Sequence, residues 1–159
     1  MDFDFSDDQE QLRDAVRKYV DKGYDFERRR AIVKAGGFDR AAYAELAELG
    51  LTGLYVPEAD GGMGMGPIEG MVVMEELGRG MVLEPLSQAL IAGAILAGYA
   101  DTATKAAWLP SVASGEKLVV LAYQERGSRY ALDTIAGKAH QAPGGYVLNA
   151  TKSIVRSEE

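Results

Sequence analysis

Apolar residues recur at helical spacing almost from the start of the chain. Leu12, Val16, Tyr19 and Val20 fall on one face, while Arg13, Arg17 and Lys18 lie mostly elsewhere. Ser6 stands before this run as an N-cap, with Gln9 three residues on in capping-box spacing. Asp7 and Asp8 put negative charge where the helix dipole favours it, and the helix should end near Gly23. Residues 24–34, with Arg28, Arg29 and Arg30, suit either a frayed helix or a connection. A second helix is expected after Asp39, burying Tyr43, Leu46 and Leu49 and stopping at Gly50. A loop follows, punctuated by Pro57 and glycines 61, 62, 64 and 66. Pro67 suits the first turn of a third helix carrying Ile68, Met71, Val72, Glu75 and Leu77 to Gly78. Residues 86–99 are apolar nearly all round, which predicts the central buried helix of a bundle. Asp101 caps a further helix through Trp108, which Pro110 is expected to bend or restart.

The pattern changes after Gly115. Residues 117–123 form a β-branched apolar run, and 135–140 and 146–149 read as short strands joined by Pro143-Gly144-Gly145. Residues 152–155 open one more. The fold class expected is therefore mainly α: a helical bundle over residues 1–115, followed by an incomplete antiparallel β-domain over 116–159. Three or four strands without a second sheet leave one apolar face uncovered, so the second domain reads as truncated.

Composition narrows the function. Asp and Glu outnumber Lys and Arg by 24 to 17, a net charge of −7, which repels nucleic acid and anionic membrane surfaces. The chain has no cysteine and a single histidine, His140, so thiol chemistry, disulfides and a His-rich metal site are excluded. The acidic N-terminus lacks the order of a targeting peptide, and the fourteen-residue apolar stretch is short of the roughly 20 residues that span a bilayer. A cytoplasmic protein with no nucleic-acid, membrane or metal partner is expected.

Candidate chemistry is sparse. The run Gly61-Gly62-Met63-Gly64-Met65-Gly66 suggests a phosphate loop but lacks the Lys-Ser/Thr of one and follows no strand that opens a βαβ unit; tight turning between packed helices is the better reading. Glu75, Glu76 and Glu84 read as solvated helix faces, and His140 as a surface residue. Met63, Met65, Met71, Met74 and Met81 suit core filler or a pliable apolar pocket. The stretch LAYQERGSRY, residues 121–130, leads from a strand into polar and small residues, where Gln124 and Ser128 can meet a flat or anionic ligand. An ordinary strand exit reads just as well.

Several stretches, taken in order, resemble the acyl-CoA dehydrogenase family. They are Glu48-Leu49-Gly50-Leu51 with Val56-Pro57-Glu58 and Gly61-Gly62; Met74-Glu75-Glu76-Leu77-Gly78-Arg79-Gly80; Lys105, Leu109-Pro110 and Gly115-Glu116; and Gly144-Gly145-Tyr146-Val147-Leu148-Asn149 with Lys152. The N-terminal segment, residues 24–27 and the ERGSRY stretch look most like small subunits of pimeloyl-CoA dehydrogenase-type heteromeric enzymes. The resemblance implies an FAD-dependent oxidoreductase of lipid metabolism that desaturates an acyl-CoA thioester. It also implies reoxidation by an electron-transferring flavoprotein and a homo- or hetero-oligomer with another dehydrogenase subunit.

Residue by residue, the resemblance lays the flavin-facing strand on Leu121, Tyr123 and Gln124, with Gln124 where the family usually has threonine. Gly127 and Ser128 would lie near flavin or substrate phosphates. Ile154 and Val155 fall where the family has a Trp-Ile pair against the flavin, and Arg126, Arg129 and Arg156 depart from its pattern. The family's catalytic glutamate belongs to a later helical domain, so no catalytic residue is assigned and the chain alone is expected to be inactive. A non-catalytic partner subunit and a helical interaction module are the other readings.

Overall fold

The computed structural model describes residues 4–128 and 131–155. Its contacts divide the chain into two compact units, up to Val119 and from Val120 onward. The first holds six helices: α1 (Asp7–Gly23), α2 (Phe26–Lys34), α3 (Arg40–Glu48), α4 (Pro67–Arg79), α5 (Leu86–Tyr99) and α6 (Thr102–Ala113). The second holds an antiparallel hairpin of β1 (Lys138–Ala142) and β2 (Gly145–Asn149). A helical bundle followed by the beginning of an antiparallel β-domain is thus the observed architecture.

Local chemistry sets the helix starts. Ser6 Oγ accepts from the Gln9 amide at 3.3 Å while Gln9 Oε1 accepts from the Ser6 amide at 3.0 Å, closing the capping box expected of α1. Of residues 24–34, left open by sequence, Phe26–Lys34 are helical: Asp25 caps α2 by accepting from the Arg28 amide at 2.8 Å. Asp39 and Asp101 cap α3 and α6 in the same way.

The core is built where α1 crosses α4. Val16 and Val20 pack with Val73, Leu77, Leu46, Leu51, Leu54, Leu86 and Leu90 in one buried cluster. Glu76, on α4, lies at the same crossing and is only 3% exposed, so it is not a solvated helix-face residue. Its oxygens accept from Arg17 Nη2 at 2.6 Å and Arg79 Nε at 2.8 Å, and Arg79 reaches on to Asp21 at 2.8 Å. The Arg17 bond, then the Arg79 bond, hold the Glu76 carboxyl below the usual range against the opposing effect of burial. Glu84 is buried as well; Glu75 is exposed as expected.

Two helices depart from their sequence reading. The all-apolar α5 buries Leu86, Ala89, Leu90, Ala92 and Gly93 but exposes Ile91, Ile95 and Tyr99, the last by 88%. These three lie four residues apart, on one face, so α5 is buried on one side only. An apolar sequence alone does not say which side is covered. Helix α6 runs through Pro110 without restarting. Pro110 O accepts from the Ser114 amide at 3.0 Å and Ser111 Oγ donates to Trp108 O at 3.2 Å, so polar partners close the turns around the proline.

The glycine loop answers to packing. Met63, Gly64 and Met65 donate their amides to Gly53, Val56 and Leu54 carbonyls at 2.8–2.9 Å, leaving those amides unavailable to a phosphate. A Cβ on Gly62 would stand 2.1 Å from Val56 O and 2.6 Å from Gly53 O, both backbone atoms.

Residues 117–123 make no strand, and neither do 152–155, because no neighbouring strand pairs with them among the described residues. β-propensity supplies a side-chain pattern but not the partner that completes the ladder. In the hairpin, Ala142 pairs with Gly145 and His140 with Val147, leaving Pro143 and Gly144 as the two-residue turn. Gly144 has φ +87°, matching the glycine position of a type II turn after proline. His140 is exposed.

Two outcomes follow for stability. Gly62→Ala should lower the denaturation midpoint far more than Gly78→Ala, whose added methyl meets nothing within 4 Å. Glu76→Leu should likewise cost more than Glu75→Leu, since it removes the buried acceptor that two guanidinium groups share. Equal midpoints within either pair, measured by urea unfolding, would contradict the packing described.

Candidate functional site

The second unit gathers the residues assigned to a ligand by sequence around one carboxylate. Glu125, 7% exposed, accepts from the Ala136 amide at 2.7 Å, the Gly137 amide at 3.1 Å and Lys152 Nζ at 2.8 Å. Lys152 also donates to Tyr123 O at 3.4 Å. The Ser153 amide donates to Gln124 O at 2.8 Å. These bonds bind three separate stretches, 121–128, 136–137 and 150–155, into one small assembly. The Lys152 ammonium, and after it the Ala136 amide, hold the Glu125 carboxyl below the usual range.

Gln124 is thereby brought beside the start of the 153–155 segment, which carries Ile154 and Val155. Leu121, Gln124 and Val155 are half-buried, and Tyr123 and Ile154 are exposed. Ile154 has φ +55°, a left-handed conformation that a β-branched residue seldom adopts. Gly127 is exposed, whereas Ser128 is turned inward at 8% exposure. Its hydroxyl donates to Glu125 O at 2.8 Å and accepts from the Glu125 amide at 3.2 Å, closing the 125–128 turn. Arg126 is exposed, while Arg129 and Arg156 lie outside the described residues.

Glu125 and Lys152 were not singled out as a pair by sequence reasoning. A carboxylate just after an apolar run and a lysine 27 positions later carry no periodic signal; only folding makes them neighbours.

The backbone amides of residues 121–123 donate to no acceptor among the described residues. Donors left open on the backbone beside the exposed Tyr123 are of the kind that carbonyl acceptors of a ligand can use. Ser128 fits a phosphate less well, since both capacities of its hydroxyl used here are spent on its own turn.

In the helical unit, Met63 and Met65 pack half-buried against the core, while Met71, Met74 and Met81 are exposed. Ile68 and Met71 on α4, and Ile91 and Ile95 on α5, give each helix an uncovered apolar face. A groove of about 690 Å³ opens beside α1 and α3, lined by Lys18, Tyr19, Lys22, Glu45, Glu48 and Leu49 among others. It contains none of the residues assigned by sequence. Among the described residues, no cluster of His, Asp and Glu suits a metal ion, and no helix is long and apolar enough to cross a membrane.

Glu125→Gln and Lys152→Met should each loosen this assembly without unfolding the helical unit. The expected signature is faster amide exchange at Ala136 and Gly137, with exchange in α1 and α4 unchanged. Because the folded carboxyl is depressed, its contribution is present above the ordinary glutamate value and disappears as pH falls through the folded value. Unaltered exchange at 136 and 137 in both variants would count against Glu125 as the organising group.

The family model described as acyl-CoA dehydrogenase, N-terminal domain, matches residues 6–116. The benzylmalonyl-CoA dehydrogenase of Aromatoleum aromaticum is 30% identical, over 99% of this chain and 42% of its own length. Among solved structures, the Tcur3481–Tcur3483 steroid ACAD superposes with a TM-score of 0.84 at 28% identity, covering 93% of this chain and 41% of that one. The ChsE4–ChsE5 complex from Mycobacterium tuberculosis gives 0.77 at 25% identity, over 96% of this chain and 39% of that one. The chain thus spans less than half the length of these relatives. On the family match across its helical unit, it belongs to the acyl-CoA dehydrogenase family.

Proposed function

We propose that this chain is the N-terminal portion of a flavin-dependent acyl-CoA dehydrogenase subunit, comprising the helical domain (1–115) and the first part of the middle β-domain (116–159). The family match over residues 6–116 is the observation that carries this reading. FAD, when bound, supplies the hydride acceptor for α,β-dehydrogenation of an acyl-CoA thioester.

The chain's own contribution is positional. Leu121 and Tyr123 offer backbone donors and a flat side chain to the ring, and Gln124 stands next to them with Ile154 and Val155 close by. Gly127 and Ser128 form the turn next to that surface, near where phosphates would pass. The exposed methionines of α4 and the Ile91–Ile95 face of α5 suit the wall of an acyl pocket, being apolar, adaptable and uncovered. The family resemblance assigns the base that takes the substrate's α-proton to a later helical domain, and none of these residues is given that role. An electron-transferring flavoprotein and a second dehydrogenase subunit are the partners this reading requires. The resemblance to a structure solved as a ChsE4–ChsE5 complex supports the second of these.

The 159-residue chain by itself should turn over no acyl-CoA and bind FAD weakly. Titration of FAD followed by flavin fluorescence should show no saturation at one equivalent. A tight one-to-one complex would contradict the division of the site proposed here. Native mass measurement of the assembly recovered through this chain should show a second, longer polypeptide if the subunit is heteromeric.

A further inference from the structure

Glu84 lies in the connection between α4 and α5, residues 80–85, and is 5% exposed. Its Oε1 accepts from the Asp39 amide at 3.3 Å, while Oε2 is buried and meets no donor among the described residues. Tyr24, itself buried at the end of α1, accepts from the Leu83 amide at 3.1 Å through its hydroxyl, which lies near enough to the carboxyl to favour its ionised form. The Tyr19 hydroxyl, buried and without a hydrogen-bond partner among the described residues, is near enough to feel the carboxyl's charge. Asp39, at the start of α3, adds a like charge.

Two arginines of α2 reach this neighbourhood, and both are engaged elsewhere: Arg29 donates to Gly80 O, in the connection itself, at 2.9 Å. Arg28, on α2, donates to both Glu45 oxygens at 2.7 and 3.0 Å and stands 3.5 Å from Asp39. Glu84 forms no ion pair among the described residues. An ionised carboxylate here would hold an oxygen with no donor and no counter-charge, which costs far more than burying the neutral acid. Burial pushes the Glu84 carboxyl up, and the Tyr24 hydroxyl and Asp39 amide only partly oppose it.

We propose that Glu84 is a proton-operated latch: neutral, it seats the α4–α5 connection on the end of α1 and the start of α3; ionised, it releases that connection. The connection is poised to move. Met81 holds φ +49°, unfavourable for a residue with a Cβ, and the Met81 and Leu83 side chains are already exposed. Release would alter the entry into α5 and so the setting of its uncovered Ile91–Ile95 face. The sign follows from the upward shift. The latch is fully closed below the ordinary glutamate value of 4.5 and weakens as pH rises from there through the raised value.

The test is carboxyl NMR of the 159-residue chain labelled with ¹³C at glutamate, with the Glu84 signal assigned through the backbone. Its titration midpoint should lie above 4.5, the ordinary value. The protection of the Leu83 amide, corrected for intrinsic exchange, should fall by up to about tenfold per pH unit within the window. Glu84→Gln, which keeps the shape of the neutral acid, should abolish that fall. A midpoint at or below the ordinary value overturns the latch. So does Leu83 protection that declines equally in wild type and Glu84→Gln. Should the variant fail to fold, the wild-type titration and Leu83 exchange decide alone.

Discussion

The crossing of α1 over α4 is the contact on which the helical unit depends. Val16 and Val20 are buried there with Val73 and Leu77, each side chain contributing about 2 kcal/mol by its removal from water. Close approach demands a small residue at the end of α4: a Cβ on Gly80 would stand 2.5 Å from Val20 Cγ1. At the same seam Glu76 is drawn inward because Arg17 comes from one helix and Arg79 from the other. The ion pairs therefore fix the register that the apolar contact leaves free. Once α1 and α4 are locked, Leu51, Leu54, Leu86 and Leu90 find a common core, and the glycine loop must turn tightly to join them.

The second unit rests on a different principle. Its hairpin side chains are mostly exposed, so little apolar burial holds it together. Cohesion comes instead from Glu125, whose two oxygens gather two backbone amides and a lysine. Such a hub positions backbone well but leaves apolar side chains such as Leu132, Ile135 and Leu148 uncovered. The amides of 121–123, which meet no acceptor among the described residues, follow the same pattern: backbone is held in place without joining a sheet.

What sequence made legible follows this division. Helices with capping residues and periodic apolar positions, α1 and α3 above all, stood out because local chemistry determines them. Burial of charge did not. Nothing in the spacing of Glu76 or Glu84 distinguishes them from Glu75, since the contacts that bury them reach to Arg17, 59 residues away, and to Asp39, 45 residues away. The side of α5 that stays uncovered was hidden for a related reason, its apolar residues surrounding the whole helix. The expected strand at 117–123 had the right residue types, yet pairing is a property of two segments, not one. Within the proposed ligand surface, the neighbourhood of Gln124 and Ile154 was legible only through family resemblance, and the inward turn of Ser128 only through its hydrogen bonds.

The account joins a helical unit of the acyl-CoA dehydrogenase family to a proposed role as part of a flavin-dependent dehydrogenase. The most direct measurement is to purify the native assembly through this chain and record its visible spectrum before and after anaerobic addition of acyl-CoA thioesters. The account predicts a yellow assembly whose flavin absorbance bleaches with at least one acyl-CoA. A colourless assembly, or a flavin unaffected by every acyl-CoA across short, long and ring-bearing chains, would contradict it.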